Sequence, residues 1–285
     1  MENHPEPTIA TTTKPLAFID LETGLTDDKA HDMGAFREPD LHLHTKNREA
    51  FLQFVENTEF ICGHNILQHD LKYLPELTPD KHHFIDTLYL SPLLFPQRPY
   101  HKLLKDDKLQ TDDLNNPLND CLKTRDLFFD EVGAFKALPT PLKNIYTALL
   151  SDKAEFGAFF KFVGMAPPAN FDISQSVKQL FPDSICRYSR VDLLTRKYPV
   201  ELAYTLALIY ANDSYSVTPS WLRYNYPQIE NVVKLLCGTP CHTNDCPYCS
   251  SKLNIHTGLR NVFGYNQFRL FDGEPMQDGA DFDKQ

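Results

Sequence analysis

The alternation of apolar and polar positions changes character along the chain. "LAFIDLETGL", residues 16–25, is an apolar run broken by two carboxylates, and it reads as a buried strand. Strand side chains alternate between faces, so Phe18, Asp20 and Glu22 share one face while Ala17, Ile19 and Leu21 share the other. After a loop, "REAFLQFVEN" has helical spacing at Phe51, Phe54 and Val55, and "EFICG" is a short buried strand. "NILQHDLKYLPEL" places Ile66, Leu67, Leu71 and Leu74 at helical spacing and carries Asp70. "HHFIDTLYLSPLL" predicts a strand and then a short helix. "PLNDCLKTRDLFFDEVGAF" predicts a long helix with Leu118, Cys121, Leu122, Phe128, Val132 and Phe135 on one face. Together these elements predict an α/β unit over 14–137.

Strand alternation then stops. "PLKNIYTALL", "EFGAFFKFVG", "PVELAYTLALIYAN" and "QIENVVKLLC" are amphipathic stretches separated by prolines, which predicts a helical region over 138–235. A cysteine-rich segment follows over 236–257, and 258–285 ends polar and acidic. The opening "MENHPEPTIATTTKP" is polar and proline-containing, so 1–13 reads as a disordered lead-in without the regions of a signal peptide. No apolar run approaches the roughly 20 residues of a membrane span. The expectation is a cytoplasmic protein with no membrane partner.

The 285 residues are 42% apolar and include 20 Phe, enough for one large core or two ordinary ones. A net charge of −10 argues against binding nucleic acid through an overall positive field. It leaves room for a site that works through metal ions, because the carboxylates holding such ions are counted in that charge.

Two acids on one strand face repel each other unless water or a cation screens them. Asp70 and Asp120 add further acids on separate predicted helices, so Asp20, Glu22, Asp70 and Asp120 come from three elements. Oxygen-only carboxylate sets suit Mg²⁺ or Mn²⁺. Two such ions about 3.5–4 Å apart activate a water and stabilise the leaving oxygen of a phosphodiester.

"FIDLETG", "GHNILQHDLKYL" and "LNDCLKTRDLF" resemble the three exonuclease motifs of the DEDD superfamily, which includes the proofreading epsilon subunit. The resemblance covers about residues 15–137. It implies a ribonuclease-H-like fold with a mixed sheet, 3′→5′ removal of nucleotides from DNA ends, and a role in repair or recombination. Asp20, Glu22, Asp70 and Asp120 would be ligands of two Mg²⁺ or Mn²⁺ ions. Thr23, His64 and Asn65, beside the first two motifs, would contact single strands or 3′ ends of DNA. Asp86 in "IDTLYL" matches a structural feature of the family. One position departs from the pattern: the histidine-bearing branch has its general base five residues before the last Asp, and this chain has Asn115 there. The tyrosine branch has Tyr four residues before, and here Asn116 stands in that place. Asn cannot take a proton at neutral pH. His101, just before the third motif, is the candidate substitute base, set against a plain surface histidine; His69 is expected to face solvent. The alternative to an enzyme is a nucleic-acid-binding module that keeps the metal site and has lost the base.

Four of the seven cysteines, Cys237, Cys241, Cys246 and Cys249, lie within 13 residues as "CGTPCHTNDCPYC". Without a secretion signal the cluster points to structural Zn²⁺ rather than disulfides. Cys241, Cys246 and Cys249 are the expected ligands, with Cys237, His242 or His256 as the fourth. Cys62, Cys121 and Cys186 read as buried thiols. Further on, "FGYNQFR" resembles the leader of RecQ-family DNA helicases, with Gln277 in the place of the adenine-reading glutamine. The order of regions resembles the N-terminal portion of bacterial RecQ-like helicases, whose motor would be either a partner supplied in trans or lost. No G-x-x-x-x-G-K-[ST] occurs in the 285 residues, so no ATPase or helicase activity is expected of them. Trp221, Tyr224 and Tyr226, interleaved with Arg223, are aromatic candidates for base stacking.

Overall fold

The computed structural model describes residues 15–24, 29–98, 100–103, 116–211, 218–238, 241 and 245–251. The described chain divides into two compact units that interleave in sequence. The first takes residues up to Tyr89, Lys102–Asp130 and Ala154–Gly164; the second takes Leu90–His101, Glu131–Lys153 and the chain from Met165. The stretch "EFGAFFKFVG", expected in the helical region, therefore falls in the first unit, and Leu90–His101 in the second.

The first unit is built on a five-stranded mixed sheet of order β3-β2-β1-β4-β5. Strand β1 (Leu16–Thr23) pairs antiparallel with β2 (Ala30–Arg37), which pairs antiparallel with β3 (Leu41–Thr45). On its other side β1 runs parallel to β4 (Phe60–Gly63), which runs parallel to β5 (His83–Asp86). The β2–β3 hairpin occupies what read as a loop. Met33, Ala35 and Phe36 are all buried, so β2 lacks the alternation that marks a half-buried strand, and β3 is a polar edge.

The two faces of β1 are used as its alternation predicts. Ala17, Ile19 and Leu21 join Phe51 and Val55 of α1 (Arg48–Val55), together with Ile66 and Leu74, in one buried cluster. Asn47 caps α1 by accepting from the N–H groups of Glu49 and Ala50. On the opposite face Phe18 meets Phe36, Phe128 and Phe129, with ring centroids 6.4, 5.8 and 6.1 Å away. Phe128 belongs to α4 (Pro117–Ala137), whose residues to Asp130 lie in this unit. The helix starts with Pro117 at its first position, and the Asn116 side chain accepts from Leu118 N–H at 3.0 Å.

The helix expected over "NILQHDLKYLPEL" is only one turn, α2 (Asp70–Tyr73). Asp86 anchors the turns that precede it: its carboxylate accepts from Asn65 and Leu67 N–H at 2.8 and 3.1 Å, and also from Leu88 N–H at 3.0 Å. Asn65 turns the chain at φ 68°, a conformation Asn tolerates. Helix α3 (Thr87–Leu94) follows β5.

In the second unit α5 (Thr140–Leu150) buries Leu142, Ile145, Tyr146, Leu149 and Leu150. Helix α6 (Gly157–Phe162) belongs to the sheet unit, where Phe162 sits edge-on to Phe60 at 5.3 Å. Helices α7 (Ile173–Leu180), α8 (Val191–Lys197) and α9 (Pro199–Ala211) pack in succession, and both α7 and α9 lie against α5. Helix α10 (Ser220–Asn225) leads into α11 (Ile229–Val233), which packs on α9 and runs on as a π-helical turn over Lys234–Gly238. No described helix is long and apolar enough to cross a membrane.

Candidate functional site

Asp20 and Glu22 project from the end of β1 on the face that α4 covers, and Asp120 comes from the first turn of α4. One carboxylate oxygen from each lies within 4.8 Å of the other two, so the three can hold a metal ion. Two local devices build this meeting. A register shift between Glu22 and Thr23 interrupts the β1–β2 ladder, which re-aims the end of the strand. Opposite Asp20 stands Gly34, where a Cβ would lie 2.4 Å from the carbonyl carbon of Pro117. Only a glycine lets the start of α4 come this close to β2, and Asp120 follows Pro117 by one turn.

Asp70 stands beside this triad and is not one of its three members. It is 2% exposed, and its Oδ1 accepts from the N–H of Leu21, the residue between Asp20 and Glu22, at 3.1 Å. Burial raises its pKa, while His69 and the Leu21 N–H pull the other way. Burial raises the Cys121 thiol, and the charges of Asp20, Asp70 and Asp120 add to that rise.

His69 was expected to face solvent, and its side chain is 43% exposed, but its Nδ1 lies 3.8 Å from Asp70 Oδ2. Asp70 raises its pKa, burial opposes this, and Glu22 adds a further upward pull. A polar histidine beside an acid in sequence offered no periodicity to mark this placement. Lys123, one turn beyond Asp120, stands 3.7 Å from its Oδ1. Asp32, across the ladder from Glu22, is held away by His44 Nε2 at 2.9 Å.

The other expected contacts divide. Thr23 is half-buried at the strand end. His64 Nδ1 is 2.9 Å from Thr87 Oγ1, and the Asn65 backbone is held by Asp86, so both shape the β4 end. His101 is not a surface residue. It belongs to the second unit and is 6% exposed, with Nδ1 2.8 Å from Ser91 Oγ. Burial, with Arg98 nearby, lowers its pKa to about 4, which makes its ring a weak base. Asn116 is used as the cap of α4. Asn115, His242, His256, Gln277 and the "FGYNQFR" segment lie outside the described residues.

A second group lies in the helical unit. One Sγ from each of Cys186, Cys241, Cys246 and Cys249 lies within 4.8 Å of the others, and this group can also hold a metal ion. Cys186 takes the place expected for Cys237, whose Sγ instead donates to Ser184 C=O at 3.5 Å. Nothing in the spacing of the cluster signalled Cys186, which is separated from Cys241 by 54 intervening residues. Of the aromatic candidates, Tyr226 packs on Tyr204 and Trp221, with centroids 5.4 and 6.3 Å away, whereas Tyr224 is 87% exposed. No family model, curated protein or solved structure matches this chain.

Proposed function

We propose that the sheet unit is a metal-dependent 3′→5′ exonuclease that hydrolyses phosphodiester bonds at DNA ends. The observation that carries the reading is the convergence of Asp20, Glu22 and Asp120 from a strand end and a helix start. All three are partly exposed, so the group is open to a substrate phosphate. Their oxygen-only donor set fits Mg²⁺ or Mn²⁺ and lacks the nitrogen or sulfur donors that zinc prefers. Bound there, such ions supply an activated water and stabilise the leaving oxygen.

The chain's own residues have distinct parts in this reading. Asp20, Glu22 and Asp120 hold the ions and thereby orient a phosphate. Asp70, through Leu21 N–H, fixes the strand between the first two acids, and its second oxygen remains toward His69. Thr23 lies at the rim beside Glu22. The polarity of digestion and the preference for DNA rest on the resemblance of "FIDLETG", "GHNILQHDLKYL" and "LNDCLKTRDLF" to the DEDD motifs.

The test is digestion of 3′-labelled and 5′-labelled single-stranded DNA with Mg²⁺, Mn²⁺ or EDTA, beside Asp20→Ala and Asp120→Ala. Stepwise loss from the 3′ end that needs metal and both acids is the expected result. The enclosure of His101, bonded to Ser91 and lowered in basicity, favours one second reading, a binding module without its base. Metal-dependent gel shift of the same oligonucleotide, with no digestion, would replace the enzyme with that module.

A further inference from the structure

The segment 245–251 buries very little apolar surface of its own. Its only buried side chains are Cys246 and Cys249, with Tyr248 half-buried beside them. No aliphatic side chain anchors the helical turn over 247–251. Its side-chain ties to the rest of the unit include Tyr248 Oη donating to Cys237 C=O at 2.6 Å, and Asp245 taking Arg187 and Tyr188. Arg187 is 3.4 Å from Asp245 Oδ2, and both side chains are more than half exposed, so water screens that pair. What the segment does place inside the protein is sulfur, against the sulfur of Cys186.

The thiols are also arranged as ligands. Thiolates at a zinc–sulfur length of about 2.3 Å form a tetrahedron with edges of about 3.8 Å. The four Sγ atoms, all within 4.8 Å of one another, need only a small contraction to reach it. Backbone donors already point at two of them: Arg187 N–H donates to Cys246 Sγ at 3.3 Å and Cys241 N–H to Cys249 Sγ at 3.4 Å. Such donors offset the negative charge of thiolates and orient them. Cys186 is itself fixed, its N–H donating to Leu236 C=O at 3.1 Å and its C=O accepting from Ser189 N–H at 3.0 Å. None of the seven cysteines is in a disulfide.

We propose that Cys186, Cys241, Cys246 and Cys249 bind one structural Zn²⁺, and that Cys186 rather than Cys237 completes the site. The ion ties Cys241 and the 245–251 segment to the turn between α7 and α8, a long-range staple in place of a core. It also sets a cavity of about 730 Å³ whose walls include Lys178, Gln179 and the neighbours of two ligands, Arg187 and Tyr188 beside Cys186, Asp245 and Pro247 beside Cys246. The site is independent of the acidic triad and of any nuclease activity.

The experiment is metal analysis of the full chain purified without chelator, followed by exchange with Co²⁺. About one zinc per chain and the charge-transfer band of a four-thiolate cobalt site are expected. Cys237→Ser should keep both. Cys186→Ser should lose the ion, or hold it with affinity lower by about 100-fold or more, beyond the cost of an outer-shell change. Cys186→His should keep one ion with the cobalt bands moved to those of a three-thiolate, one-nitrogen site. Zinc retained by Cys186→Ser and lost by Cys237→Ser would overturn the assignment, as would wild-type protein that binds no zinc or carries these cysteines as disulfides. If Cys186→Ser does not fold, Cys237→Ser and Cys186→His decide the question alone.

Discussion

Asp70 Oδ1 accepts the backbone N–H of Leu21 at 3.1 Å, so a carboxylate from the turn after β4 holds the strand between the two acids of "DLE". Asp70→Ala leaves that N–H buried without its acceptor, and the expected loss is about 1–3 kcal/mol of stability in chemical denaturation. Asp70→Asn can still present an oxygen to Leu21 and should recover most of that loss. If both variants are as stable as the parent, Asp70 does not support the strand.

Gly34 and Pro117 set the distance between β2 and α4. Gly34→Ala puts a methyl group 2.4 Å from a backbone carbon, so the helix start has to retreat. The expected cost is about 1–3 kcal/mol, the range of overpacking. Because Asp120 retreats with the helix, Mn²⁺ affinity measured by calorimetry should fall as well. Destabilisation with unchanged Mn²⁺ binding would separate the glycine from the site.

Three carboxylates within 4.8 Å of one another repel when no cation is present. Mn²⁺ should therefore raise the melting temperature, by the equivalent of about 2.7 kcal/mol when present at about 100 times its dissociation constant. Asp20→Asn should melt at or above the parent in EDTA and lose most of the Mn²⁺-dependent rise. A rise that survives in Asp20→Asn places the ion elsewhere.

Asp86 and His101 make opposite contributions to the dependence of stability on pH. Burial, opposed by the N–H groups of Leu67, Asn65 and Leu88 and helped by Asp70, raises Asp86 from 3.8 to about 7. An acid raised on folding stabilises fully below its unfolded pKa, and the contribution is lost as pH rises through about 7. The slope reaches about 1.4 kcal/mol per pH unit where the folded state holds one more proton. His101, lowered from 6.5 to about 4, contributes above 6.5 and loses that contribution as pH falls toward 4. Between these limits the two cancel in part in the parent. Urea unfolding in EDTA should show Asp86→Asn gaining stability relative to the parent as pH goes from 5 to about 8, and His101→Gln gaining relative to it as pH falls from 7 to about 4.5. Flat differences in either variant would mean that the group does not titrate on folding.

The sequence by itself determined the local part of this protein. Period-two alternation alone put Asp20 and Glu22 on one face of β1, with Ala17, Ile19 and Leu21 opposite, and the structure buries the second set around Phe51 and Val55. Helical spacing located α1, α4 and α5 for the same reason, since each buries one face, whereas α9 is buried nearly all round from Val200 to Ala207. Contacts made at long range decided the rest. Strand β2 is buried around Met33, Ala35 and Phe36 without alternating, and α2 is one turn after turns that Asp86 anchors through backbone donors 21 and 19 residues away. Cys186 joins three cysteines whose spacing never implicated it, and His101 is enclosed against Ser91 rather than left on the surface. Alternation is a property of neighbours along the chain. A ligand set and a buried histidine are properties of neighbours in space, which the chain reaches only by folding.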